Sequence, residues 1–228
     1  MPFKLSIIIP TWNESSSIVA SLQPLQLLRA QGHQIIVVDG GSSDNTKQLA
    51  QPLADIVELS ASGRAHQMNA GVSLAVHDVL LFLHADTTLP ENFVTLIEDN
   101  LQTGWGRFNV RLSGQDPMFR VIAFMMNLRS CLTSVATGDQ AIYVTRQLFK
   151  RMGGFADIAL MEDIEFSKRL RKHARAVCIK TPVITSSRRW EHYGIWKTIW
   201  MMWSLRLRYF LGASPAELSQ FYRKSGND

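Results

Sequence analysis

The sequence predicts an α/β fold built on a mostly parallel, doubly wound sheet, and three observations carry that prediction. Short β-branched or apolar runs alternate with helical patterns through the first hundred residues. The runs are apolar throughout rather than at every second position, as strands covered on both faces require. Polar segments containing Pro or Gly then follow them, at the carboxyl ends where such sheets bind ligands.

The first strand is Leu5 to Ile9, ended by Pro10. Ser15 to Ala30 carries Ile18, Leu22, Leu25 and Leu28 at helical spacing. Gln34 to Val38 is the second strand, and Asp44 caps a short helix running to Gln51. Ile56 to Leu59, a helix over Arg64 to Val76, and Val79 to Leu83 complete the alternation, with Pro90 opening a further helix. From Gly104 the order loosens. Arg107 to Leu112 and Ala141 to Val144 are strand-like, Pro117 to Leu132 is an amphipathic helix, and another helix opens near Met161. The expected layout is one domain in three parts: a nucleotide-binding half over 1–103, an acceptor and catalytic half over 104–192, and a helical tail over 193–228.

Bulk properties exclude several classes. At 228 residues, with 46% hydrophobic and 19% charged, the chain can bury a full core, which excludes a disordered protein. Cys131 and Cys178 lack a CxxC spacing, so neither a disulfide framework nor a zinc site is expected. Lys4 precedes only Leu5 to Ile9 before Pro10, too short an apolar run for a secretory leader, so the expected location is the cytoplasm. Charge is split unevenly: residues 168–228 hold 13 Lys and Arg against 3 Asp and Glu, whereas residues 1–167 hold 11 against 16. That asymmetry calls for an anionic partner, either substrate phosphates or an anionic membrane face. Nucleic acid is not expected, because no recognition motif accompanies the charge.

Four segments carry the chemistry. Pro10-Thr11-Trp12-Asn13-Glu14 offers a flat ring and a carboxylate at a strand end, suited to a nucleobase, although Glu14 also suits the first turn of a helix. Asp39 stands after the second strand, before two glycines that let a ligand approach the backbone, and can accept from a base imide or ribose hydroxyls. Arg64 at a helix start is placed for a phosphate. Asp86 follows an apolar run, where a charge is costly without a partner, and Mg²⁺ or Mn²⁺ is a natural one because a diphosphate supplies most of its oxygens. His84, two residues earlier, is read as a packed histidine. Glu162 and Asp163 open a helix with Glu165. One of them can accept a proton from an attacking hydroxyl, with Asp163 preferred and Glu162 its nearest competitor. A helix N-terminus favours acids by about 0.3–1 kcal/mol each, which explains one acid more easily than three. Gln140, beside Asp139, is a further donor-sugar candidate. Arg188 and Arg189 are placed to close over a diphosphate, and His192 to complete a metal shell with Asp86. Together these segments point to an enzyme acting on a nucleotide-sugar.

In this order the motifs resemble family 2 of the inverting glycosyltransferases, across nearly the whole chain. The resemblance implies a single-domain GT-A-like fold, with PTWNE and DGGSSD as base- and ribose-binding loops, HAD in place of the DxD metal motif and MEDIEF as the motif holding the base. His84 stands where that motif's first aspartate usually lies, leaving Asp86 as its one carboxylate. GDQA and the RRW stretch also resemble a bacterial subgroup associated with radical-SAM and selenium-domain genes or with arsenosugar synthesis. The resemblance implies a nucleoside-diphosphate sugar donor, a UDP-sugar first and a GDP-sugar next.

Ile195 to Leu211 is apolar almost all round but too interrupted by Lys197, Arg206 and Arg208 to span a membrane. Core packing or a subunit contact is the first expectation for it, and an interfacial helix on the inner face of a membrane the second. A lipid-linked acceptor would suit the second. Two rival functions compete for the same fold. A nicotinamide-dependent oxidoreductase lacks its GxGxxG turn here, because Pro10 and Trp12 follow the first strand. A non-catalytic nucleotide-sugar binding protein acting through its tail is the remaining alternative.

Overall fold

The computed structural model describes residues 3–224. Eight strands form one sheet in the order β3-β2-β1-β4-β7-β6-β8-β5. They are β1 (Leu5–Thr11), β2 (Gln34–Asp39), β3 (Ile56–Leu59), β4 (Val79–Phe82), β5 (Thr87–Thr88), β6 (Trp105–Leu112), β7 (Tyr143–Thr145) and β8 (Val177–Thr185). The helices are α1 (Ile18–Leu22), α2 (Gln26–Ala30), α3 (Thr46–Ala50), α4 (Arg64–Leu74), α5 (Phe93–Glu98), α6 (Pro117–Thr133), α7 (Arg146–Arg151), α8 (Glu162–His173), α9 (Arg188–Tyr193), α10 (Ile195–Phe210) and α11 (Pro215–Lys224).

Strands β1 to β4 pair in parallel, as do β6 and β8. β7 runs against both β4 and β6, and β5 against β8. The chain leaves β1 toward β2 and returns to β4 on its other side, so a crevice opens where the strand order switches. Reversal of β7 brings the segment that enters it, 138–141, to the same edge of the sheet, and Phe82 donates to the Ile142 carbonyl at 2.9 Å.

Both faces of the sheet are covered, which is why its central strands are apolar at every position. Ile7 and Ile9 pack with Ile18, Leu22 and Ile97 on one face, while Ile8 packs with Met68 and Val72 of α4 on the other. Four aromatic rings lock α7 and α8 onto that second face. Phe155 lies 4.5 Å from Phe166 and 4.9 Å from Phe82, and Phe149 lies 5.3 Å from Phe166.

Several local expectations change. β1 continues through Pro10 to Thr11; its pairing with β4 has ended by then, so the missing N–H removes no bond on that side. The helix expected over Ser15 to Ala30 is broken into α1 and α2, because Pro24 sits in a 3₁₀ turn over Gln23–Leu25. β3 is an edge strand with Glu58 and Leu59 exposed rather than a buried one. Cys131 of α6 and Cys178 of β8 form a disulfide with Cα atoms 5.9 Å apart, against the expectation of unpaired thiols. Packing of α6 on β6 creates that proximity: the Asn127 side chain exchanges bonds with the Val110 backbone at 2.8 and 2.9 Å.

Core packing does not account for the aromatic stripe of α10. Thr198, Met201 and Leu205 face inward, but Trp196, Trp200 and Trp203 are 73%, 66% and 71% exposed, continuing through Leu207 and Phe210 along one face. α6 shows the same division, with Val121, Phe124, Met125 and Leu128 outward. Among the described residues no helix is long and apolar enough to cross a membrane.

Candidate active site

The crevice is walled by loops that bond to one another. Asn13 donates its N–H to Ser42 Oγ and accepts from the Ser43 N–H, both at 2.8 Å, which fastens the loop after β1 to the loop after β2. Asp44 adds a strap from Ser15 N–H at 3.1 Å and accepts from Thr46 N–H at 3.0 Å, while the N-cap of α3 falls on Asn45, one residue later than expected. Thr46 first among these partners holds the Asp44 carboxyl well below the usual range. Sequence reasoning missed Gln67. It is buried in α4 and donates to the Thr11 and Val38 carbonyls at 2.7 and 2.8 Å, pinning the ends of β1 and β2.

Asp39 is 1% exposed, and its carboxylate accepts from the Gly41 and Ser42 N–H groups at 2.9 and 2.8 Å and from Ser42 Oγ at 2.6 Å. It therefore shapes the loop that would meet a nucleoside. Trp12 stands exposed at the lip. Glu14 accepts from Ser17 Oγ at 2.6 Å, and Arg188 of α9 reaches it at 3.5 Å across 174 residues of sequence. That contact brings the RRW segment over the crevice. Arg189 beside it stacks 3.9 Å from the Tyr222 ring and donates to the Tyr222 hydroxyl.

Asp86 is half-buried just beyond β4. Burial first and Glu14 second push its carboxyl up, with Arg188 and Arg64 opposing. Arg64 is open to solvent but crowded by the crevice walls. Desolvation pulls its guanidinium down, and Glu162, Tyr222, Asp163 and Asp86 together more than offset that. Arg64 thus links the carboxylate after β4 to the acidic pair at the start of α8, in one cleft. His84 is packed, as expected: a Cβ on Gly138 would collide with its ring. Burial and the Arg64 charge hold that imidazole down at about 3, so it is neutral.

Asp163 is positioned from across the cleft, accepting the Gly138 N–H at 2.7 Å. Glu162 is buried beside it, and burial followed by the Asp163 charge pushes its carboxyl up to about 7 against Arg64. Burial and the neighbouring Asp163 charge both favour the protonated form of Glu162. Met161, which precedes the pair, and Ala141, which leaves the 138–140 turn, both hold positive φ, at 70° and 47°. Such conformations cost non-glycine residues about 1–3 kcal/mol and gather at functional sites.

Two expected positions fare differently. Gln140 is fully buried, with its oxygen accepting from Thr137 and its nitrogen donating to Ser130, so it braces the turn instead of facing a donor sugar. His192 is exposed, its ring 4.6 Å from that of Tyr193. Among the described residues no three His, Cys, Asp or Glu side chains gather as a metal cage. A divalent cation fits here only as a shared ligand. The crowded Asp86 carboxylate, raised by burial and by Glu14, is the kind of oxygen a hard cation stabilises, and a diphosphate would supply the rest.

Residues 6–108 match the model for glycosyl transferase family 2. Poly-beta-1,6-N-acetyl-D-glucosamine synthase of Staphylococcus aureus is 24% identical, over 96% of this chain and 56% of that protein, so the chain spans little more than half of its relative. Among solved structures, S. aureus TarS 1-349 in complex with UDP-GlcNAc superposes with a TM-score of 0.63 at 15% identity, covering 81% of this chain and 58% of TarS. The mannosyltransferase PcManGT of Pyrobaculum calidifontis in complex with GDP-Man and Mn²⁺ gives 0.63 at 18% identity, covering 97% and 68%. The shared architecture shows a GT-A-like fold, and the likeness to glycosyl transferase family 2 is carried by residues 6–108.

Proposed function

We propose that the protein moves a sugar, with inversion, from a nucleoside-diphosphate donor to an acceptor nucleophile. The observation that carries this reading is the convergence on one cleft of Asp86, Arg64, and the Glu162 and Asp163 pair. Trp12 and the Asp39 loop receive the nucleoside, and Arg64 and Arg188 face the diphosphate. UDP is the favoured base and GDP the next, supported by the nucleotides bound to TarS and PcManGT.

Asp163 takes the proton from the acceptor as its oxygen bonds to the anomeric carbon. The bond from that carbon to the diphosphate oxygen breaks on the opposite face, and its electron pair leaves with the nucleoside diphosphate. Asp86 would hold Mg²⁺ or Mn²⁺, which supplies charge stabilisation to the departing diphosphate. Arg64 and Arg188 add to that stabilisation, and its value is greatest where charge has grown beyond that of the bound donor. Gly138 aims the base, and neutral His84 packs between the turn that anchors the base and the loop bearing Asp86.

The acceptor reading extends to lipid. Outward Trp196, Trp200 and Trp203 on α10, with basic Lys197 and Arg208 on the same helix, support peripheral contact with an anionic membrane, at its inner face, and a lipid-linked acceptor. Consumption of UDP-GlcNAc, UDP-glucose or GDP-mannose with Mn²⁺, lost on chelation, tests the enzyme. Raised melting temperature with UDP or GDP but no turnover of any donor would favour the non-catalytic binding protein instead.

A further inference from the structure

A second group of cations lies along α6 and α10, within reach of the charges of Asp139 and Asp163. The seam between the two helices starts apolar: Phe119, Ile122 and Met126 of α6 pack with Ile195 and Ile199 of α10 and with Trp190. Following each helix along the same stripe, three or four residues at a time, leads from Met126 to Arg129 and from Ile199 through Met202 to Arg206. The seam therefore ends in two guanidinium groups.

Their surroundings differ from those of surface arginines. Arg129 keeps its Nε and Nη2 atoms buried with no hydrogen-bond partner. Among the described residues, neither Arg129 nor Arg206 makes an ion pair within 4.0 Å. Burial lowers both, Arg129 to about 10, while Asp139 and Asp163 are the anions whose charge reaches them. Arg64, by contrast, couples to Glu162, Asp163 and Asp86. Asp163 thus interacts by charge with both groups of cations, Arg64 on one hand and Arg129 with Arg206 on the other. A buried guanidinium with idle donors is costly unless an anion arrives to use them.

We infer that Arg129 and Arg206 form an acceptor-side anion subsite that seats the phosphate of a phosphomonoester acceptor. The inference rests on the glycosyltransferase reading of the cleft, whose donor side already uses Arg64 and Arg188. Phosphate suits the site better than carboxylate, because a tetrahedral dianion can occupy forked donors from two directions at once. Leu128 and Leu207, next in sequence to the two arginines, are exposed, so a hydrocarbon tail attached to the phosphate would find apolar surface beside the subsite. The same chemistry is offered by a lipid phosphate and by a small soluble phosphate ester.

Equilibrium binding of decyl phosphate, below its micelle concentration, tests the subsite on the full chain, with an uncharged decyl glycoside as reference and inorganic phosphate as competitor. Wild type is expected to prefer decyl phosphate at least tenfold over the glycoside. Arg129→Gln and Arg206→Gln should each reduce that preference to threefold or less while leaving UDP and GDP binding unchanged. Should a glutamine variant fail to fold, Arg129→Lys and Arg206→Lys replace it, keeping charge without the fork and giving an intermediate preference. Displacement by inorganic phosphate at comparable concentration identifies a soluble ester as the source. Resistance to a hundredfold excess identifies a lipid. Absence of preference in wild type, or its survival in folded variants, overturns the subsite. Loss of nucleoside-diphosphate binding and donor turnover in wild type would instead overturn the enzyme reading and leave the phosphate preference to be judged separately.

Discussion

Two adjacent carboxyls at the start of α8 divide the work of the cleft between them. Glu162 is raised to about 7 in the folded chain, chiefly by burial, from an ordinary value near 4.5. A carboxyl raised on folding is favourable to the fold while protonated, so its contribution is complete below pH 4.5 and is lost as pH rises through 7. Glu162→Gln removes that loss: urea unfolding at pH 8 should find the variant more stable than wild type by a few kcal/mol, with the difference shrinking toward pH 5. Equal pH profiles for the two proteins would contradict the buried environment of Glu162. Asp163→Asn should lower kcat by about 10²–10⁴-fold, the range a positioned base supplies, with UDP-induced thermal shifts unaltered. Asp39, Asp86 and Asp163 were legible in the sequence because an acid after a buried strand or at a helix start is a local pattern. Gln140, Arg129 and Arg206 were not, since whether a polar side chain faces ligand, solvent or another helix is decided by packing between distant segments.

At the scale of elements, the aromatic cluster joining Phe82, Phe149, Phe155 and Phe166 holds α8 against the sheet. Phe166→Ala should cost about 3–5 kcal/mol in chemical denaturation, as a fully buried phenyl leaves a cavity its neighbours fill only in part. The bridge between Cys131 and Cys178 closes 47 residues of chain. Replacing both by Ser should lower stability by about 2–4 kcal/mol, read from the denaturation midpoint of the oxidised protein. Strands β1, β2 and β4 and helices α4, α6 and α8 were visible from periodicity alone. β8 was not. Lys180 and Pro182 interrupt its apolar pattern, and the structure accommodates them where pairing with β6 skips from Phe108 opposite Ile179 to Asn109 opposite Pro182. The disulfide was illegible for a related reason, since neither cysteine carries a spacing signal and only the docking of α6 makes them neighbours.

For the whole molecule, fold class and the edge of the sheet that carries the candidate site followed from strand and helix alternation, a property of order rather than of contacts. The direction of the tail's tryptophans did not, because a helix apolar all round has no preferred face until a partner covers one. The structure covers the Met201 and Leu205 face and leaves the tryptophans outward. Partition onto vesicles containing anionic lipid should accordingly fall about tenfold or more in a Trp200→Ser, Trp203→Ser double variant, and should weaken at high salt. A variant that binds vesicles as wild type does but loses a dimer on sizing would assign the face to a second subunit.

The one strand reversed inside the sheet, β7, has a consequence for how closely the acids are spaced. It is three residues long, and its pairing with β4 and β6 helps to decide where the turn at Gly138 stands against His84. Sliding that ribbon by one pleat, the smallest step that keeps its side chains on their own faces, would carry the turn about 7 Å along the sheet and draw the anchor of Asp163 away from the loop bearing Asp86. The spacing of the proposed catalytic acids therefore depends on a three-residue interior strand, and a mutation that loosens Leu81 against Tyr143 should damage turnover well before it unfolds the chain.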